Sequence, residues 1–366
     1  MIYADNAATT ALLPEAFEAM KPYLLTEYGN ASQPYSFSRG ARTALARARE
    51  DIAECINAEP GEIYFTSGGT ESDNWAIKGL RSERRTLLTS MTEHKAVLRS
   101  CEAMERLGSP AAYLPVDSRG VLLPETLESF ISDSALLVSV MTSNNETGTI
   151  QPVRELCSIA HRHGALFHTD AVQALGHIPV DVKALGIDIL SGSAHKFGGP
   201  KGAGFLYVKS GTDIAPYADG GSQERGLRAG TENVAAIVGM AAALKKSCAD
   251  MQKNAAKLRC LEQDLLNELA GTDFIRNGSV NGVPGNMSLS FRGAEGEMLL
   301  HRLDLMGICV STGSACDSAR TQISHVLEAM HVPEEYAFGT IRVSFGAGNA
   351  PEDGRLVGKA IRKIIG

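Results

Sequence analysis

The sequence predicts an α/β protein: a large domain with a mainly parallel sheet covered by helices, and a smaller α+β domain toward the C-terminus. Three observations support this. From about residue 60 to 210, short apolar runs alternate with amphipathic stretches, the pattern of strands joined by crossover helices. A long Ala- and Leu-rich helical stretch then runs from about Thr231 to Leu269, and behind it the alternation changes character. Finally, 366 residues exceed a usual single domain, so one large unit with a smaller companion is the natural division.

Seven segments read as strands of the main sheet: Ile63 to Phe65, Thr86 to Thr89, Ala112 to Val116, Ala135 to Met141, Ala165 to His168, Ile187 to Leu190 and Gly204 to Val208. Each is short, apolar and bounded by turn-forming residues. Between them, Lys95 to Leu107 and Val153 to His163 carry helical periodicity. The stretch from Thr231 to Leu269 is long enough for one break. Asn286 to Phe291 and Ile341 to Phe345 read as strands of the second unit, and Gly296 to Leu305 and Pro351 to Ile365 as its helices. This places the large domain at residues 12–250, and the small one at 251–366 together with 1–11.

Composition narrows the function. The formal charge is -7 with acidic and basic residues interspersed, so no surface neutralises phosphates in the way nucleic-acid binding needs. The N-terminal run MIYADNAATT lacks the basic and apolar regions of a signal peptide, and no apolar run has the length of a membrane span. A cytoplasmic protein is expected. Seven cysteines, Cys55, Cys101, Cys157, Cys248, Cys260, Cys309 and Cys316, are scattered without a C-x-x-C pair, which argues against a disulfide framework or a zinc knot.

In a parallel α/β sheet the ligand site lies at the carboxyl ends of the strands, and three segments just after predicted strands stand out. Thr66-Ser-Gly-Gly-Thr-Glu-Ser-Asp-Asn74 follows a strand and opens a helix. Small residues there let backbone N–H groups approach an anion, with the helix dipole in support; a plain glycine-rich turn with a helix cap is the alternative. Asp170 ends a strand and by itself reads first as a solvated cap, with a metal ligand or the partner of a protonated ring nitrogen as the alternatives. Ser191-Gly-Ser-Ala-His-Lys-Phe-Gly-Gly-Pro-Lys-Gly places Lys196 behind an apolar strand among small residues, a poor setting for a surface charge and a good one for a Schiff-base lysine. An anion cradle, an acidic partner for a pyridinium nitrogen and a buried lysine are together what pyridoxal 5'-phosphate requires.

A fourth segment, Val310-Ser-Thr-Gly-Ser-Ala-Cys-Asp-Ser-Ala-Arg320, has no apolar periodicity and reads as a mobile loop. Its Cys316 is the best candidate for a reactive thiol, flanked by Arg320, whereas the other six cysteines lie in apolar or helical patterns.

These segments, with Tyr3-Ala-Asp-Asn-Ala-Ala-Thr-Thr10, Thr92-Glu-His-Lys-Ala-Val97, Asn144-Asn-Glu-Thr-Gly148, His168-Thr-Asp-Ala-Val-Gln173, Arg228-Ala-Gly-Thr231 and Ile341-Arg-Val-Ser344, span nearly the whole chain. In that order they resemble the cysteine desulfurases of the NifS/IscS kind, in the class V aminotransferase group of fold-type I pyridoxal-phosphate enzymes. The resemblance implies that Lys196 links to the cofactor, Asp170 pairs with the pyridinium nitrogen, and His94 stacks on the ring and moves protons. It implies ring and substrate contacts from Gln173 and Asn145. The phosphate would be held by Gly69, Thr70, Ser193 and His195, joined by Thr231 from the other subunit of a homodimer. Arg342 would grip the carboxylate of L-cysteine with help from Asn30, and Cys316 would receive the sulfur for an acceptor such as an IscU/NifU-type scaffold of iron–sulfur cluster assembly.

Two departures accompany the resemblance. Where the family commonly reads Gly-Asn-Pro-Ser-Ser-x-His, this chain has Gly29-Asn-Ala-Ser-Gln-Pro-Tyr35, and Asp317 follows the candidate nucleophile, where its charge works against thiolate formation. A selenocysteine lyase or another class V lyase or aminotransferase keeps the same cofactor residues; a transaminase has no need of Cys316. A docking role without catalysis has no use for the cofactor set. The run His161-Arg-His-Gly-Ala-Leu-Phe-His168 could suggest a metal, but positions 161 and 163 point about 200° apart on a helix and cannot share one. No metal is expected.

Overall fold

The computed structural model describes residues 1–80, 86–312 and 323–366. Its strands are β1 (Ile2–Tyr3), β2 (Ile63–Thr66), β3 (Thr86–Ser90), β4 (Ala111–Leu114), β5 (Ala135–Ser139), β6 (Leu166–Asp170), β7 (Ile189–Ser193), β8 (Gly204–Val208), β9 (Phe274–Asn277), β10 (Asn286–Phe291), β11 (Ile308–Cys309) and β12 (Thr340–Ser344). The helices are α1 (Pro14–Leu25), α2 (Arg39–Ile56), α3 (Gly69–Lys78), α4 (Lys95–Arg106), α5 (Pro124–Phe130), α6 (Val153–Arg162), α7 (Val182–Leu185), α8 (Val234–Glu268), α9 (Gly296–Leu305), α10 (His325–Ala329), α11 (Glu334–Ala337) and α12 (Asp353–Ile365).

The main sheet has seven strands in the order β2-β8-β7-β6-β5-β3-β4. Strands β4, β3, β5, β6 and β7 are mutually parallel, while β8 is antiparallel to both β7 and β2. The reversal has a local cause: only residues 194–203 separate β7 from β8, too few for a crossover of a dozen or more residues. Two reversals bring β2 back into the common direction, so six carboxyl ends share one edge. Strands β7 and β8 are buried at every position, as expected for strands with helices on both faces.

Those faces are two apolar clusters. One gathers Leu45, Ile52 and Ile56 of α2 with Phe65, Val138, Phe167 and Phe205. The other gathers Trp75, Ile77, Val97, Leu137, Ile189 and Leu206. The α2 residues recur at helical spacing on a single face, Ala41, Ala44, Leu45, Ala48, Ile52, Ala53 and Ile56, and α2 stops at Asn57, which is left-handed with φ 56°.

A third cluster belongs to a second sheet, in which β10 pairs antiparallel with β12 and β9. It joins Met287, Leu289, Phe291, Ile341 and Val343 to Leu303, Val357 and Ile361. The chain start is part of this unit, since β1 pairs with β11 and Ala4 is buried in the same cluster. Helix α8 connects the two units without a break over 35 residues, about 52 Å at 1.5 Å per residue. Ile237, Met240 and Leu244 on its first half enter the large core, and Leu258, Leu261 and Leu265 on its second half enter the small one. The midpoint near residue 250 is thus interior to a helix. Strand β9 carries no expectation in the sequence: its residues are half-buried at three positions of four and show little alternation. Among the described residues no helix is long and apolar enough to cross a membrane.

Candidate active site

Every segment singled out after a predicted strand opens on the edge where the six carboxyl ends meet. Strand β2 leads to the start of α3, β3 to His94, β5 to Asn145, β6 ends on Asp170, and β7 leads into a single 3₁₀ turn, Ala194–Lys196. The result is a pocket of about 380 Å³ lined by Gly69, Thr70, His94, Asn145, Asp170, Gln173, Ser193, His195, Lys196 and Arg342.

The amine of Lys196 donates to the carbonyl oxygens of Ala7 and Ala8, at 2.6 and 2.9 Å. The turn that carries it is held from behind, where His177 Nε2 lies 2.9 Å from the Lys196 carbonyl oxygen. The N-terminal segment therefore forms one wall of the site, and Thr10 adds to the join by donating both N–H and hydroxyl to His195 O.

Asp170 accepts from Val172 N–H through Oδ1 at 2.8 Å. Burial raises its pKa, against the attraction of His94 and Lys196. Beneath it lies Asp73, 1% exposed, whose Oδ1 has no hydrogen-bond partner among the described residues. Burial pushes Asp73 well above the carboxylate range, and the nearby Asp170 adds to this. With two carboxyls this close, one holds the proton; the deeper Asp73 is the better place for it, leaving Asp170 to carry charge toward the pocket.

His94 caps α4, its Nδ1 accepting from Ala96 N–H at 3.1 Å. A ring nitrogen that accepts carries no proton, so the neutral ring has its hydrogen on Nε2. The ring is open to the pocket but walled by protein, and that desolvation lowers its pKa. Desolvation also lowers His195, to about 4, with the charge of Lys196 in support. Both imidazoles are neutral at pH 7 and offer N–H donors rather than charge.

The start of α3 is shaped for an anion. Gly68 at its N-cap has φ 153° and supplies no side-chain cap, so the first N–H groups of the helix stay available. A Cβ on Gly69 would stand 2.7 Å from Val172 Cγ2, which closes that approach to any larger residue. A phosphate fits this cradle of helix N–H groups, Thr70 and Ser193. The set of Lys196 amine, Asp170 carboxylate and anion cradle around one cavity fits the aldehyde, ring nitrogen and phosphate of pyridoxal phosphate.

Arg342, in the middle of β12, reaches the pocket from the small unit. Its Nη2 donates to Asp5 Oδ1 at 2.7 Å and its Nη1 to Asn145 O at 3.2 Å. Its Nε is buried with no hydrogen-bond partner among the described residues, a state that an incoming acceptor would relieve.

Two expected residues stand apart from this pocket. Thr231 is exposed, and Asn30 is half-buried and accepts from Ser32 N–H; neither lines the cavity. Cys316 and its neighbour Asp317 lie outside the described residues. Conversely, Asp5, Asp73 and the carbonyls of Ala7 and Ala8 belong to the site but carried no role in the sequence reading. Asp5 and Asp73 both stood within quoted motifs, and an acidic residue inside such a motif was the available signal.

The histidines near β6 do not converge. His161 pairs with Asp188 at 2.7 Å, His163 faces Glu128 and Asp133 at 3.3 Å each, and His168 is buried between Ser139 and Ser191. Among the described residues only Asp73, His94 and Asp170 bring three potential metal ligands together, inside the pocket that a cofactor ring and its nitrogen would occupy.

Comparison with known proteins agrees with the geometry. Residues 2–355 match the family model described as aminotransferase class-V. The chain is 47% identical to the cysteine desulfurase IscS of Dictyoglomus turgidum, over 100% of this chain and 94% of that protein. It is 44% identical to the cysteine desulfurase IscS of Methanosarcina thermophila, over 100% of this chain and 92% of that protein. Among solved structures, a NifS-like protein superposes with a TM-score of 0.94 at 37% identity, covering 99% of this chain and 98% of the other.

Proposed function

Because this chain belongs to the aminotransferase class-V family, we infer from its pocket and its full-length likeness to cysteine desulfurases that it is a pyridoxal-phosphate-dependent cysteine desulfurase. The observation that carries this reading is the convergence of Lys196, Asp170, the start of α3 and Arg342 on one cavity. The overall change is L-cysteine plus a protein thiol to L-alanine plus a protein persulfide, which balances without an external oxidant.

When bound, the cofactor supplies an electron sink for the charge that develops at the substrate α-carbon. Lys196 holds the cofactor covalently at rest, and its amine takes and returns the proton at the α-carbon during turnover. Asp170 keeps a proton on the ring nitrogen, and His94 packs its neutral ring against the cofactor ring. Gly69, Thr70, Ser193 and His195 hold the phosphate. Gln173 and Asn145 contact the ring oxygen and the substrate side. Arg342 orients the substrate by its carboxylate, with Asn30 in support. The Cys316 thiolate then attacks the substrate sulfur, the S–S bond forming as the substrate's Cβ–S bond breaks and Cβ takes a proton to become the methyl group of alanine; the persulfide passes to an acceptor, for which an iron–sulfur scaffold protein is the proposed partner.

The test is a single-turnover incubation of the loaded enzyme with L-cysteine. Alanine and protein-bound persulfide should form in equal amounts. Pyruvate and free sulfide in their place would mean elimination instead of sulfur transfer.

Arg342→Ala should lower kcat/KM for cysteine by about 2–5 kcal/mol of transition-state stabilisation, because the lost guanidinium is a buried, charged hydrogen-bond donor. Equal turnover of cysteine and its methyl ester by the unaltered enzyme would contradict the assignment, since the ester presents no anion to the guanidinium.

The active unit is proposed to be a homodimer in which the partner subunit's Thr231 completes the phosphate site. Thr231 is exposed within its own chain, as a residue serving a neighbour would be, and closed two-fold dimers are the commonest assembly. Sedimentation at assay concentration should give a dimer; a fully active monomer would rule this out.

A further inference from the structure

Helices α2 and α8 pack along one another outside the active site, and their facing side chains form a ladder. Lys245 on α8 binds Asp51 on α2 at 2.6 Å and lies 3.8 Å from Glu54. One turn farther along each helix, at i+3 and i+4 on the same faces, stand Cys248 and Cys55. Both are free thiols, half-buried, and packed against the rim of the large core.

We propose that Cys55 and Cys248 are a redox-active pair that closes to a reversible disulfide between α2 and α8. Three features of their surroundings support this. The packing of α2 on α8, with the Lys245–Asp51 pair one turn away, sets the two thiols facing one another, and each is the leading influence on the other, raising the pKa of Cys55 and lowering that of Cys248. Gly176 N–H also favours the thiolate of Cys248, which makes Cys248 the attacking sulfur and Cys55 the resolving one. Lastly, half-exposure admits a small oxidant. Cys101 and Cys157, by contrast, are buried and held at about 12 by that burial.

The step balances with a low-molecular-weight disulfide as oxidant. The Cys248 thiolate attacks one sulfur of the disulfide and expels one thiolate, leaving a mixed disulfide on Cys248. Cys55 gives its proton to the expelled thiolate and attacks Cys248 Sγ, releasing the second small thiolate. Two protein thiols are oxidised, and one small disulfide is reduced to two thiols.

The location ties the pair to the catalytic lysine. Ser247, the neighbour of Cys248, donates its hydroxyl to Phe197 O at 2.8 Å, directly after Lys196. Gly176 precedes His177, whose Nε2 meets the Lys196 carbonyl oxygen at 2.9 Å. A cross-link here forms against the back of the turn that presents the lysine.

The experiment uses the full-length loaded enzyme, reduced and then incubated with oxidised glutathione, blocked with N-ethylmaleimide and digested without reductant. A linked peptide containing Cys55 and Cys248 should appear and vanish on reduction. In Cys55→Ser, glutathione should instead remain attached to Cys248. Separate glutathione or maleimide adducts on Cys55 and Cys248 of the unaltered chain, with no linked peptide, would overturn the proposal. Linkage of either residue mainly to another cysteine, such as the exposed Cys260, would overturn it as well.

Discussion

Replacing Lys196 with alanine is expected to abolish the covalent, borohydride-reducible attachment of the cofactor and to slow alanine formation by at least the 10²–10⁴-fold typical of losing a positioned acid–base group. The reason is positional. Lys196 ends a single turn behind the fully buried β7, and its amine reaches two carbonyl oxygens of the N-terminal segment inside the pocket. No other ammonium lines that pocket among the described residues, and Lys201, the next lysine in the same segment, is exposed. The variant should still retain the cofactor noncovalently, because the start of α3, Ser193 and Asp170 are untouched. Borohydride reduction followed by peptide mapping separates the possibilities: the adduct belongs on Lys196 in the unaltered chain and nowhere in the variant. An adduct on Lys201 would remove Lys196 from its assigned role.

Much of this architecture was legible in the sequence because buried parallel strands write themselves as short apolar runs. All seven strands of the main sheet occur where such runs predict them, with ends differing by a few residues, and Asn286–Phe291 and Gly296–Leu305 coincide with their predicted limits. The antiparallel course of β8 was less accessible, since direction depends on the length of the preceding connection rather than on the strand's own residues. Helix α8 shows the opposite difficulty. Its buried face changes partner halfway, from the large core to the small one, so its apolar pattern suggests a break that the backbone does not make.

The site divides in the same way. Residues placed by a neighbouring strand end, such as Asp170 and Lys196, are found by reading forward from the strand. Residues placed by long-range folding are not. Asp5 comes from the chain start and meets Arg342 across 337 positions, and Asp73, on α3, is brought close to Asp170 at the end of β6. Their roles depend on what they touch: Asp5 neutralises the buried guanidinium, and Asp73 takes up a proton that would otherwise discharge Asp170. Neither follows from residue type or local spacing.

Cys316→Ser should retain cofactor binding and recognition of cysteine yet form neither persulfide nor alanine at a comparable rate. A serine hydroxyl occupies almost the same space as the thiol but has neither the accessible anion nor the affinity for sulfur that exchange chemistry requires. Cys316 lies outside the described residues, between Thr312 and Ile323. Ser311 and Thr312 line the pocket, and Ser311 is bonded to the Arg342 backbone in both directions. On the far side of the segment, Ser324 donates to the buried Glu146 at 2.6 Å and His325 Nε2 lies 3.0 Å from the Glu93 carbonyl oxygen. A negative charge at Asp317, next in sequence, is expected to work against thiolate formation, so Asp317→Asn should speed persulfide formation at a given pH. The decisive measurement is alanine release by Cys316→Ser over a single turnover. Release at the rate of the unaltered enzyme would mean that sulfur departs by elimination or reaches a different cysteine, and Cys316 would lose its place as the acceptor.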